Sequence, residues 1–195
     1  MKDNVEAMFE KSGALLKGHF LLTSGLHSPV YWEKALVIQY PEYTKKLCRM
    51  IADHYRKAGA TVVAGPTTPG IILAYETARQ LGVRSIFAER DEAGGSSRVF
   101  RRGFSISPGE KVLVVDDILT TGGSVSEVIA AVKKLEGVVV GVGVLVLRAA
   151  AQEPDFGVPF YACHRTEVVA YQPLQCPLCA KGIPLVKHGS SKQKS

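Results

Sequence analysis

Asp116 and Asp117 stand side by side behind the apolar residues 112–115, and the chain then runs through Ile118 and Leu119 into Thr120, Thr121, Gly122, Gly123 and Ser124. A short apolar run ended by acids, then a turn of small and hydroxyl-bearing residues, then an amphipathic stretch over 125–135 reads as strand, loop and helix. Glycines let successive backbone N–H groups converge on an anion, and the helix start adds roughly half a positive elementary charge. That turn suits a phosphate. Carboxylates beside an unscreened phosphate repel it, so the acid pair is expected to face sugar hydroxyls or a bridging divalent metal. A phosphorylated ribose satisfies both halves of the motif.

The elements that must position this motif follow from the rest of the chain. It has 195 residues, 46% hydrophobic and 22% charged, the length of one domain with a sizeable core. The formal charge of +6 would allow nucleic-acid binding, yet the cations are scattered, and a multiply phosphorylated substrate with Lys187, Lys192 and Lys194 accounts for much of the excess. The longest apolar stretch, 137–147, contains glycines and is too short to span a bilayer, so it reads as a strand covered on both faces. No membrane segment is expected. Residues 1–10 carry acids and no apolar signal core, which argues for a cytoplasmic protein.

In chain order, Asp3 or Asn4 can cap a first helix carrying Val5, Met8, Phe9, Leu15 and Leu16. Residues 20–23 and 30–37 read as strands joined by a Gly- and Pro-marked turn. Pro41 opens a helix whose apolar face is Tyr43, Leu47, Ile51, Tyr55 and Ala58, closed by Gly59. Residues 61–65 form a short strand leading through G-P-T-T-P-G into a helix over 71–81, a second place to seat an anion. A strand over 84–89 precedes a small, polar loop between Arg90 and Arg98, then the acid-bearing strand, its helix, and a buried strand over 137–148. Residues 149–169 add one or two edge strands. Strand–helix units in series imply an α/β fold, doubly wound around a mostly parallel sheet, with ligand loops at strand C-termini and a small N-terminal hood.

Four cysteines at 48, 163, 176 and 179 do not make a secreted disulfide framework in a chain this long. Cys48 reads as a small core residue. Cys176 and Cys179 form a C-x-x-C pair, half of a zinc site, for which Cys163 or His164 could supply a third ligand and His188 or a partner chain the fourth. The other reading is a shielded structural cysteine pair without metal. Residues 186–195 are expected to form a flexible tail.

Residues 112–124 resemble the phosphoribosyl pyrophosphate signature of the type I phosphoribosyltransferases. That resemblance implies that Asp116 and Asp117 hold the ribose 2′- and 3′-hydroxyls and, indirectly, Mg²⁺, while Thr120, Thr121, Gly122, Gly123 and Ser124 hold the 5′-phosphate. The stretch Ser24, Gly25, Leu26, His27, Ser28, Pro29, Val30, Tyr31, Trp32 is similar to the hood of orotate phosphoribosyltransferases. It implies an orotate pocket from Ser24, Gly25, His27, Tyr31, Trp32, Thr120 and Arg148, with His27 where many relatives carry lysine. The loop with Thr67, Thr68 and Gly70 resembles the family's diphosphate loop, often cis at a non-proline bond, and Pro69 stands where many relatives have lysine. Residues 90–98 resemble a lid that reaches the neighbouring subunit of a homodimer. This lid lacks the usual lysines and histidine and offers Arg90, Arg98, Arg101 and Arg102.

The implied catalytic residues are Asp116, Asp117, Arg90 and Arg98, with Arg90 also on the diphosphate. The implied organisation is one phosphoribosyltransferase domain over 1–185, with a hood formed mainly by 1–40 and the C-x-x-C segment 173–185. The implied reaction joins orotate to phosphoribosyl pyrophosphate with release of diphosphate. A purine or xanthine phosphoribosyltransferase would share the signature without the hood. A sensor of phosphoribosyl pyrophosphate is the non-enzymatic alternative, although no helix-turn-helix segment precedes the core.

Overall fold

The computed structural model describes residues 4–22, 24–92, 97–149, 153–167 and 169–187. Helix α1 (Val5–Lys11) is capped by Asn4, whose Oδ1 accepts the Ala7 N–H at 3.2 Å. Asp3, the other expected cap, lies outside the described residues. The helix stops before Leu15 and Leu16 because Gly13 turns the chain at φ 71°, and those leucines open strand β1 (Leu15–Leu21) instead. Strand β2 (His27–Trp32) pairs antiparallel with β1, giving the hood a two-stranded sheet of its own. The strand expected over 30–37 ends at Trp32, and residues 34–38 form helix α2 (Lys34–Ile38).

Helix α3 (Pro41–Tyr55) begins at its proline, where a missing N–H costs nothing. Strand β3 (Val62–Pro66), helix α4 (Pro69–Leu81), strand β4 (Arg84–Arg90) and the short β5 (Arg98–Phe100) follow. Gly82 closes α4 at φ 72°, a left-handed C-cap. Strand β6 (Lys111–Leu119), helix α5 (Gly123–Lys134), strand β7 (Val138–Ala149) and strand β8 (Phe160–Glu167) complete the core. A single turn of 3-10 helix (Pro173–Gln175) and helix α6 (Pro177–Ala180) stand in the C-terminal segment. Among the described residues no helix is long and apolar enough to cross a membrane.

The main sheet runs β5-β4-β3-β6-β7-β8, parallel except for the antiparallel edge strand β5. The expected mostly parallel, doubly wound sheet is therefore borne out. Alternation along β3 and β6 divides the core between the two faces. Val63, Leu113 and Val115 pack with Phe9, Leu47, Ile51 and Leu73 from the helices on one side. Val62, Ala64, Val112 and Val114 pack with Val125, Val128 and Val132 of α5 on the other. Because both faces are covered, the C-terminal ends of β3 and β6 open onto loops rather than more core.

Cys48 is fully enclosed between α3 and α4, and burial pushes its thiol up to about 12. Gly141 and Gly143 allow α3 to press against β7. A Cβ on Gly143 would sit 2.5 Å from Ile51 Cγ2, and one on Gly141 would run into the Tyr55 ring. The ring is fixed there because Tyr55 Oη donates to the Val142 and Pro159 carbonyls at 2.8 and 2.9 Å. Gly141→Ala is therefore expected to cost about 1–3 kcal/mol by overpacking, lowering the thermal midpoint by roughly 3–10 °C in a circular-dichroism melt. An unchanged midpoint would contradict this packing.

Candidate active site

Two strand–loop–helix units meet at the C-terminal edge of the sheet. In the first, β3 turns into α4 through Thr67 and Thr68, and the Thr67–Thr68 peptide bond is cis. The turn is tight enough that a Cβ on Gly65 would strike the Gly70 carbonyl, and one on Gly70 would lie 2.6 Å from Pro66 Cδ. Only glycine fits at both places. Pro69 occupies the first turn of α4, so the loop offers hydroxyls and backbone rather than an ammonium group.

In the second unit, β6 carries the acid pair to the start of α5. Gly122 caps α5 at φ 82°, and Thr120 and Thr121 are exposed beside it. Asp116 and Asp117 are 6% and 1% exposed. Asp116 Oδ1 accepts the Asp117 N–H at 2.8 Å, its Oδ2 accepts the Ser124 hydroxyl at 2.8 Å, and Asp117 Oδ1 accepts the Ile118 N–H. Ser124, expected with the phosphate-binding residues, thus also orients the first acid. It stands between the acids and the turn and can serve either.

The structure revises the roles expected of the arginines. Arg98 does not belong to a lid: it starts β5 with a 4% exposed side chain, donates to Glu127 of α5 at 3.1 Å, and donates to Thr67 Oγ1 and the Ala88 carbonyl at 3.2 Å each. Its charge is compensated by Glu127, and its side chain lies behind Thr67 of the β3–α4 loop. Arg101 pairs with Asp91 and Glu92, and Arg102 pairs with Glu89, holding that carboxyl below its ordinary range. Arg90 is exposed at the end of β4, directly across from Arg98 in the β4–β5 register. The loop tip 93–96, the centre of the expected lid, lies outside the described residues.

The hood residues divide into two groups. Tyr31 is half-buried and near enough to Arg148 for their electrostatic interaction to count; burial lowers the Arg148 pKa, and among the described residues no carboxylate forms an ion pair with it. Ser24 and Gly25 lie in the exposed turn before β2, Gly25 at φ 81°. Trp32, expected at the base, is instead a core residue at 7% exposure, packed edge-on against Phe9 and beside His164.

His27 is likewise turned away from its expected place. Its Nδ1 lies 2.9 Å from His19 Nε2 and 3.3 Å from Cys179 Sγ, in a cluster completed by Cys176. Cys163, expected as a possible third partner of the C-x-x-C pair, is not in that cluster; its thiol lies 3.5 Å from the Leu47 carbonyl under α3, and burial raises its pKa strongly. His164 lies tilted beside the Trp32 ring, with centroids 5.8 Å apart, and His188 lies outside the described residues. His19 was not singled out from the sequence. Two histidines on adjoining strand segments with a distant C-x-x-C pair were the available signal.

Residues 38–171 match the family model described as the phosphoribosyl transferase domain, the class that this strand order and this acid-and-turn unit define. The orotate phosphoribosyltransferase of Pelotomaculum thermopropionicum is 52% identical over 191 residues, which cover 98% of this chain and 98% of that protein. That of Desulforamulus reducens is 50% identical, covering 97% of each chain. The crystal structure of orotate phosphoribosyltransferase from Aeropyrum pernix shares the fold with a TM-score of 0.71 at 23% identity, over 83% of this chain and 93% of that one. The chain belongs to the orotate phosphoribosyltransferase family.

Arg98 joins β5, α5 and the β3–α4 loop through nearly enclosed bonds, so its removal strands Glu127 and frees Thr67. Arg98→Ala is expected to lower stability by about 2–4 kcal/mol in urea unfolding, less than a fully buried pair because Glu127 keeps 18% exposure. A loss below about 0.5 kcal/mol would mean that the contacts are incidental.

Proposed function

We propose that this protein transfers the 5-phosphoribosyl group from phosphoribosyl pyrophosphate to orotate, giving orotidine 5′-monophosphate and diphosphate. The observation that carries the reading is the meeting of an acid pair and an anion-binding turn at the end of β6, in a chain whose close relatives bear that name. Thr120, Thr121, Gly122, Gly123 and Ser124 hold the 5′-phosphate, aided by the start of α5. Asp116 and Asp117 orient the ribose hydroxyls, a hydroxyl on Asp116 sharing or replacing the Ser124 bond. Thr67, Thr68 and Gly70 cradle the diphosphate, with Arg90 as the nearby exposed cation and Arg98 as a positioning residue behind Thr67.

The ring nitrogen of orotate attacks C1′ while the C1′–O bond breaks and its electron pair leaves on diphosphate. Orotate arrives as an anion, so little base catalysis is needed. Holding both reactants in line supplies up to about 7–11 kcal/mol, and the aspartates favour the positive charge that grows on the sugar. Arg148 reads the orotate carboxylate through two parallel hydrogen bonds, with Tyr31, Ser24 and Gly25 around the base. Half-burial and the lack of an ion-pair partner among the described residues support that role.

Asp116 and Asp117 are hard oxygen donors of the type that Mg²⁺ takes, and their enclosure suits an ion carried mainly by the diphosphate and reached through water. Bound there, Mg²⁺ would neutralise charge on the leaving diphosphate. A homodimer is the assembly proposed, and the exposed Ile72 and Tyr75 of α4 would give a subunit contact an apolar anchor.

With Mg²⁺ and phosphoribosyl pyrophosphate present, orotate absorbance is expected to fall; xanthine or a purine consumed in its place would overturn the assignment. Asp116→Ala with Asp117→Ala is expected to lower kcat by at least about 100-fold, and full turnover would remove the acids from the mechanism. Arg148→Ala is expected to raise the KM for orotate by roughly 10–100-fold with little change in that for phosphoribosyl pyrophosphate. Equal effects on both substrates would contradict its assignment to the base.

A further inference from the structure

We infer that His19, His27, Cys176 and Cys179 form a structural zinc site that fastens the C-terminal segment to the hood. The four ligand atoms all lie within 4.8 Å of one another. His19 Nε2 is 3.5 Å from Cys176 Sγ and 3.7 Å from Cys179 Sγ, and Cys179 Sγ is 3.3 Å from His27 Nδ1. A zinc ion with nitrogen ligands at about 2.0 Å and sulfur ligands at about 2.3 Å has tetrahedral edges of about 3.3–3.8 Å. Three separations, 3.5, 3.7 and 3.3 Å, fall on those edges; the 2.9 Å between the two imidazoles is shorter and the set as a whole spreads to 4.8 Å, so a small rotation of the His27 ring and of a cysteine side chain would close the tetrahedron.

The chemistry of the donors agrees with the geometry. His19 Nδ1 lies 2.7 Å from the Ile183 carbonyl, which accepts a hydrogen bond from the Nδ1–H and so leaves Nε2 with its lone pair toward the cluster. This is the support that a metal-binding imidazole ordinarily has. Hydrogen bonding alone serves the group poorly, because thiols are weak partners and His19, His27 and Cys176 are all buried. Zn²⁺ with two thiolates and two neutral imidazoles has no net charge, which suits enclosure; binding releases the two thiol protons to solvent. Four protein ligands leave no position for a reacting water, so the site is structural rather than catalytic.

Its place in the fold explains what it would do. A two-stranded sheet is marginal alone, and the C-terminal segment edges this one on both sides. His27 and Tyr171 exchange backbone bonds at 2.9 and 2.8 Å, and Val186 bonds the backbone of His19 and Leu21. Val186 is therefore docked on the hood rather than the first residue of a flexible tail. Residues 188–195 lie outside the described residues. The zinc would close this arrangement by joining β1, β2 and α6 at one point.

The test uses the full-length chain without an affinity tag. Plasma mass spectrometry is expected to find about one zinc per chain, and cobalt exchanged for zinc is expected to give the intense visible absorption of a tetrahedral thiolate site. Chelation should lower the thermal midpoint by at least about 5 °C and zinc should restore it. His19→Ala and Cys179→Ser should each reduce bound zinc at least tenfold, whereas Cys163→Ser should keep it. If those variants do not fold, the cobalt spectrum and zinc-dependent melt of the unmodified protein decide. A wild-type protein that takes up neither metal in tetrahedral form, a Cys176–Cys179 disulfide formed with zinc present, or zinc retained by both ligand variants would overturn the proposal.

Discussion

Everything at the proposed active site depends on holding two carboxylates against the start of a helix without letting them repel the anion bound there. The structure meets this constraint by burial and by division of labour. Asp116 and Asp117 are turned into the end of β6, where neighbouring backbone N–H groups and the Ser124 hydroxyl donate hydrogen bonds to their carboxylates. Thr120 and Thr121 remain exposed at the turn, which leaves the N–H-rich side open for the proposed phosphate. Ser124 is the contact between the two halves, and its hydroxyl links acid to anion site.

The same edge is braced from behind. Arg98 binds α5 through Glu127 and the β3–α4 loop through Thr67, so the two strand–loop–helix units share one enclosed cation. Gly65 and Gly70 let the first loop fold back on itself, while Gly141 and Gly143 bring α3 onto the sheet and set the floor below. Side chains set back from the sheet edge thereby fix the distance between the loops proposed to hold substrate.

Much of this was legible from residue patterns because local chemistry dictates it. Pro41 and Gly82 bound their helices as N1 proline and left-handed cap, the apolar runs of β3 and β6 read as strands, and that of β7 as a strand covered on both faces. The acid pair and its turn are contiguous, so their juxtaposition needed no tertiary information. The errors arise where partners are distant in sequence. Arg98 sits beside a glycine- and serine-rich loop and reads as a cation of the lid, yet its partner Glu127 comes from helix α5. Cys163 is nearer to the C-x-x-C pair along the chain than His19 or His27, but β8 directs it under α3, while the hood hairpin brings both histidines to the cysteines. Trp32 fits a base-stacking role by type and is drawn instead into the apolar contact with Phe9.

One pocket is proposed to grip a phosphorylated ribose at both its phosphate end and its hydroxyl edge. Diffraction from crystals soaked with phosphoribosyl pyrophosphate and Mg²⁺ tests it most directly. The account predicts the 5′-phosphate among the backbone N–H groups and hydroxyls of residues 120–124, with a ribose hydroxyl within hydrogen-bond distance of Asp116 or Asp117. A bound sugar whose hydroxyls lie away from both carboxylates, with the aspartates still turned into the interior, would contradict it.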